Sequence, residues 1–370
     1  MAESVALASP EARRVHLGWL FSSRADPAIV LLPAFVAVVA MSLAARSGGG
    51  GSERAYAAWL SQFVLGNSTH VILTFLLLGV RRDVLHATAG QARTVIIGSL
   101  CAFVAAFGFF WTFEKILPVW SDFAISIALV FATHHALSQA KGIWSLYNLR
   151  GRSLGLGPPG PLEAKLQRAF VPLGLLLVMV KWLFVPKSGD AMFPFLQAIP
   201  ATEAMLPFEL TWLLLGVWAA FAAAVITTLV RRTDLNVAKV GYVCAHLGGV
   251  AWMLVSPAWG GIFTSGVHGL EYYLLCGKML EPTAEERGAR LGHRAVWPVM
   301  ILAMAPLALI GVVNAPFTYL FGLAALAPLF VTARVVLNAV VIAHYFADAF
   351  IYRFRIPEVR RVALQRLGMA

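Results

Sequence analysis

Apolar runs of roughly span length, separated by short polar loops, repeat along almost the whole chain. A helix needs about 20 apolar residues to cross the hydrocarbon core of a bilayer. Runs of that kind fall at 27–45, 57–80, 93–116, 119–147, 167–186, 208–230, 237–256, 260–280, 294–314 and 318–352. The pattern predicts an all-α, polytopic membrane helix bundle with about ten transmembrane helices. The last run is too long for one perpendicular span. Pro328 and Arg334 inside it predict a break, a re-entrant piece or an extension beyond the bilayer.

The loops give this array a direction. Loops after the even-numbered runs are basic: Arg81, Arg82 and Arg93; then Lys141, Arg150, Arg152, Lys165 and Arg168; then Arg231, Arg232 and Lys239; then Lys278, Arg287, Arg290 and Arg294. The alternate loops hold only Arg46, Arg54, Lys115 and Lys187. Cytoplasmic loops carry the excess of Lys and Arg, so both termini are expected in the cytoplasm. The expected organisation is one integral membrane domain over 1–370, with 1–26 as a cytoplasmic N-terminal segment and 353–370 as a cytoplasmic tail. The setting it implies is a bacterial inner membrane. Residues 1–26 lack a cleavage site after an apolar run, so they do not read as a secretory signal.

Composition supports the same class. Hydrophobic residues make up 59% of the 370 residues and charged residues 13%. Soluble domains carry about 25% charged residues, and a soluble core could not absorb this surplus of apolar surface. The net charge of +11 would suggest nucleic acid in a soluble chain. Here the basic residues sit between apolar runs, so membrane lipid headgroups are the expected partner and no nucleic acid is. Cys101, Cys244 and Cys276 lie in apolar segments and read as small buried fillers without a disulfide framework.

The polar residues inside the runs change the picture from scaffold to chemistry. Of nine histidines, His70, His134, His135, His246, His268 and His344 fall within spans, while His16, His86 and His293 fall in basic segments. An ionisable group in hydrocarbon needs a partner or a purpose. His268 and Glu271 are spaced i,i+3, and His344 and Asp348 i,i+4, so each pair shares a helix face. His135 and Gln139 are also i,i+4, whereas the adjacent His134 and His135 point about 100° apart. Imidazoles with carboxylates suit iron, zinc or manganese, and no cysteine pair offers a thiolate site. The expected metal ligands are His70, His134, His135, His246, His268, Glu271, His344 and Asp348, the carboxylates acting as ligands or as partners that fix a histidine tautomer. Tyr272, Tyr273 and Tyr345 neighbour these residues and either orient them or pack.

Two segments carry a resemblance. Thr133-His134-His135-Ala136-Leu137-Ser138-Gln139-Ala140-Lys141-Gly142, followed by Leu146-Tyr147, resembles a motif of His-rich, multi-pass bacterial membrane proteins. His344-Tyr345 with Asp348, Ile351, Tyr352 and Arg353 resembles the final-helix motif of the same group. More distantly, the chain is similar to the Brp/Blh family of membrane β-carotene dioxygenases, which implies a multi-pass, non-haem iron architecture but carries no substrate over. The HxxHH boxes of membrane desaturases and hydroxylases are absent.

The function expected from these features is a membrane-embedded, non-haem iron oxidoreductase or oxygenase with one or two metals. It would act on a lipophilic small molecule by hydroxylation, desaturation or cleavage, with an electron-donor protein as a possible partner. Two other classes remain open at this point. One is a proton or metal-ion transporter using the intramembrane His, Asp and Glu. The other is a b-type haem electron-transfer protein, which would use two of the histidines.

Overall fold

The computed structural model describes residues 14–46, 70–80, 83–84, 92–118, 121–183, 208–280, 327–351 and 356–369. Among these, ten α-helices follow in order: α1 (Ala25–Arg46), α2 (Val71–Val80), α3 (Ala92–Trp111), α4 (Ser121–Ser153), α5 (Pro161–Leu183), α6 (Phe208–Val230), α7 (Val237–Val255), α8 (Pro257–Leu280), α9 (Ala327–Ile351) and α10 (Pro357–Arg366). α1 to α9 fall on nine of the ten apolar runs, wholly or in part, and α10 lies in the C-terminal tail; the run at 294–314, with His86 and His293, lies outside the described residues. Among the described residues, four stretches are long and apolar enough to cross a membrane: Ala25–Ser42, Arg93–Ile116, Leu210–Val230 and Val237–Val255. A π-helical turn, Thr112–Ile116, continues α3 to that length. α8 falls short of this apolarity for a chemical reason, since it carries His268, Glu271 and Tyr272 on the face it buries.

Local sequence sets the helix ends. The Asn236 side chain accepts from the Lys239 amide at 3.2 Å and starts α7. Ser256 alone separates α7 from α8, and Pro257 opens the second helix where its missing N–H is not needed. Pro328 likewise sits in the first turn of α9, and Arg334 falls inside an uninterrupted helix, so this part of the long final run is a helix start rather than a break. A small feature departs from the all-α expectation. Strand β1 (Arg14–His16) pairs in parallel with β2 (Asp234–Asn236). Three-residue strands are too short for any alternation to be read from sequence.

Five helices, α4 to α8, surround the largest apolar core, which includes Tyr147, Phe170, Trp218 and Tyr272. α1 packs on α8 through Ile29, Ala37, Phe263 and Val267. α3 packs on α9 through Ala106, Phe110, Val335 and Ala339. The approach there is close: a Cβ at Gly98 would run into the Phe346 ring, so any larger residue would force that ring to shift. Leu31, Phe35, Ile96, Leu100 and Leu213 remain exposed on the outside, an apolar surface suited to lipid. Cys276 is buried as expected and Cys244 half-buried, but Cys101 is exposed on α3. The expectation of a buried filler fails there because the outer face of α3 is apolar too, with Ile96, Leu100 and Val104 exposed on it.

Polar contacts tie one end of the bundle together. The backbone amides of Leu20, Phe21 and Ser22 donate to the Asp26 carboxylate at 2.7, 2.9 and 3.0 Å, and the Tyr147 hydroxyl donates to it at 2.6 Å. Lys239 Nζ donates to Glu163 at 2.7 Å and to Asn148 at 2.9 Å. Arg232 bridges Glu163 at 3.2 Å and Asp234 at 2.9 Å. Burial would raise the Asp234 carboxyl, but Arg232 and the Gly157 amide outweigh it and hold the group below its ordinary value.

Candidate metal centre

Four separated helices each bring one imidazole to the same place. His70 immediately precedes α2, His135 lies near the middle of α4, His268 on α8 and His344 on α9. One ring nitrogen from each falls within 4.8 Å of all the others. His268 Nε2 and His70 Nε2 are 3.0 Å apart. Asp348, one turn after His344, points its Oδ2 at the same group, 3.5 Å from His344 Nε2 and 3.6 Å from His135 Nε2. These last separations are too long for good hydrogen bonds.

The cluster is buried and incomplete. His70, His268, His344 and Asp348 are all at most 6% exposed. His135 Nε2, His344 Nε2, Asp348 Oδ2 and His268 Nδ1 are buried with no hydrogen-bond partner. Each such atom costs about 1–3 kcal/mol. That is too much to gather at one point of a protein whose whole stability margin is about 5–15 kcal/mol, unless something fills the centre. Nitrogen and oxygen ligands about 2.1 Å from one ion stand about 3–4 Å from each other. The observed spacings lie at or just beyond that range, so the residues present fit a bound metal.

The surrounding residues fix how the ligands point. Thr74 Oγ1 donates to Asp348 Oδ1 at 2.7 Å and lies 2.6 Å from His344 Nδ1. With that one proton on the carboxylate, the arrangement that satisfies the second contact has the proton on His344 Nδ1. That leaves a lone pair on His344 Nε2, the atom facing the cluster. The Tyr272 hydroxyl also donates to Asp348 Oδ1 at 2.7 Å and touches Thr74 Oγ1. Both donors engage the same carboxylate oxygen, which leaves Oδ2 turned inward. Tyr345 stacks on His135 with ring centres 4.1 Å apart and planes 25° apart, which holds that imidazole edge-on to the centre.

Three of the sequence candidates lie apart from this group. Glu271, although i+3 from His268, accepts from Tyr242 at 2.7 Å and from Gln139 at 2.9 Å, and contacts His246 Nε2 at 2.8 Å. His246 is thereby a partner of Glu271 rather than of the four imidazoles. Gln139 uses its other amide proton on the His268 carbonyl at 2.9 Å, pinning α4 to α8 at the level of the cluster. His134 lies on the exposed side of α4, 3.5 Å from Ser138 Oγ. Sequence reading passed over Thr74 and Tyr242. Each stands four residues from a candidate histidine, His70 and His246, so helical spacing was an available signal.

A cavity of about 270 Å³ lies against the cluster, between α4, α8 and α9. Phe131, Gly142, Ile143, Leu146 and Leu275 give it mainly apolar walls, and His135 and Asp348 reach it from the metal side. Comparison with known proteins adds no assignment: no protein-family model, no curated relative and no solved structure matches the chain.

Proposed function

We infer that this chain is a membrane-embedded oxidoreductase whose non-haem iron is held by His70, His135, His268, His344 and Asp348, acting on a lipophilic substrate. The observation that carries this reading is the convergence of buried ligand atoms without partners beside an apolar cavity. When bound, iron would supply the redox chemistry that activates dioxygen towards an unreactive carbon. The chain's own residues do the rest. Thr74 and Tyr272 hold Asp348, Thr74 also contacts His344 Nδ1, and Tyr345 stacks on the His135 ring. Burial keeps bulk water from the centre, and the apolar wall selects what can reach it.

Two observations weigh against the other classes. Four imidazole nitrogens within 4.8 Å leave no room for the plane of a porphyrin between an axial pair. A transported ion needs a polar route onward, whereas the cavity beside the cluster is walled mainly by carbon. Elemental analysis of protein purified without chelator tests the reading. Stoichiometric iron that survives gel filtration is expected; protein that is folded and metal-free, or that exchanges its metal within minutes, would overturn it.

A further inference from the structure

The cavity has a shape as well as a composition. Its α4 wall runs Phe131, His134 and His135, Ser138 and Gln139, Gly142 and Ile143, Leu146. That is one helix face recurring every three or four residues, and from Phe131 to Leu146 it extends about 22 Å at 1.5 Å per residue. The volume of about 270 Å³ is small for such a length. Pockets that enclose a whole drug-sized ligand measure about 300–1,000 Å³. A long narrow groove of this kind takes one chain and leaves the remainder of the molecule outside, in the bilayer.

The polar and apolar parts of the groove are separated. His134 and Ser138 lie together on α4, near the exposed Phe131. Gln139 has both amide protons engaged within the protein. Beyond them, Gly142, Ile143, Leu146 and Leu275 offer only carbon and backbone. Gly142 is informative because glycine weakens a helix interior. A Cβ there would meet nothing within 4 Å, so packing against protein does not demand glycine. What the missing side chain leaves is space in the groove.

We propose that the groove binds a single-chain lipophile bearing one hydroxyl or carbonyl group. The polar group sits at His134 and Ser138, and the chain lies along α4 past Gly142 towards Leu146. The carbons next to the polar group then pass His135 and Asp348. The proposal rests on the metal-centre reading only for what happens to those carbons; the binding itself does not require it.

The test is photo-crosslinking of a diazirine-bearing hexadecanol to the purified full chain, with peptide mapping, iron content and thermal midpoint measured in parallel. Wild type is expected to label on α4, α8 or α9, with labelling displaced by hexadecanol and not by equal cholesterol. Gly142→Leu should cut labelling at least tenfold while iron and thermal midpoint are retained. Gly142→Ala should cut it about threefold and raise the midpoint, a combination that misfolding cannot produce. Ser138→Ala should weaken competition by hexadecanol but not by hexadecane. Equal labelling of wild type and Gly142→Ala, or equal displacement by cholesterol, would overturn the groove. Loss of iron from wild type with labelling intact would overturn the metal centre instead.

Discussion

Two buried polar groups share α8, one turn apart, and they differ in whether the protein finishes them. Around Glu271, every contact closes: Tyr242, Gln139 and His246 all reach the carboxylate, and Gln139 spends its second proton on the His268 carbonyl. Around His268, the protein stops short: its Nε2 meets His70 Nε2 at 3.0 Å but its Nδ1 has no partner, and beside it the Asp348 carboxylate stands 3.5 and 3.6 Å from His344 and His135. Burial alone therefore does not mark a site. A satisfied polar network holds helices in register, and an unsatisfied one needs a ligand to complete it.

Substitutions should separate the two regions, the largest difference coming at the open cluster. His344→Ala and His135→Ala should lose nearly all bound metal by elemental analysis, while His134→Ala keeps it. Asp348→Asn, which preserves shape, should weaken metal binding by about 10–100-fold in a chelator competition, the scale found when groups around a metal are altered. Glu271→Gln should instead keep metal stoichiometry and lower stability by about 1–3 kcal/mol, read as a drop in thermal midpoint in detergent. If Glu271→Gln empties the site as fully as His344→Ala, the distinction between the two regions is wrong.

The smallest effect belongs to the ion network at the end of the bundle. Asp234 is held below its ordinary carboxyl value by Arg232 and the Gly157 amide, against the opposing pull of burial. Its contribution is therefore complete above the unfolded value of about 3.9 and disappears as pH falls through the lowered one. Asp234→Asn should shift acid unfolding slightly and leave metal content at pH 7 untouched.

Much of the cluster was legible in sequence because intramembrane histidines are rare enough to stand out. Helical spacing put His344 and Asp348 on one face, and their side chains stand 3.5 Å apart. For His268 and Glu271 spacing alone did not say which neighbours each would meet, because a shared face on one helix is wide enough for two: His70 on one side, Tyr242 and His246 on the other. Adjacent His134 and His135 showed the opposite limit, since about 100° of rotation sends one inward and the other outward. The parallel pairing of Arg14–His16 with Asp234–Asn236 was illegible, being a contact between two segments too short to announce themselves.

The scatter of the ligands along the chain has a consequence for biogenesis. His70 and His344 are separated by 274 positions, and His344 and Asp348 both ride on α9. Helices enter the bilayer in the order of synthesis, and a nascent chain grows at about 5–20 residues per second. Over the last 76 of those positions three histidines are already made, without the helix that carries the fourth. On the reading that this group holds a metal, loading is a late checkpoint: it would join α9 to three older helices, and a chain stalled before α9 would lack the fourth imidazole.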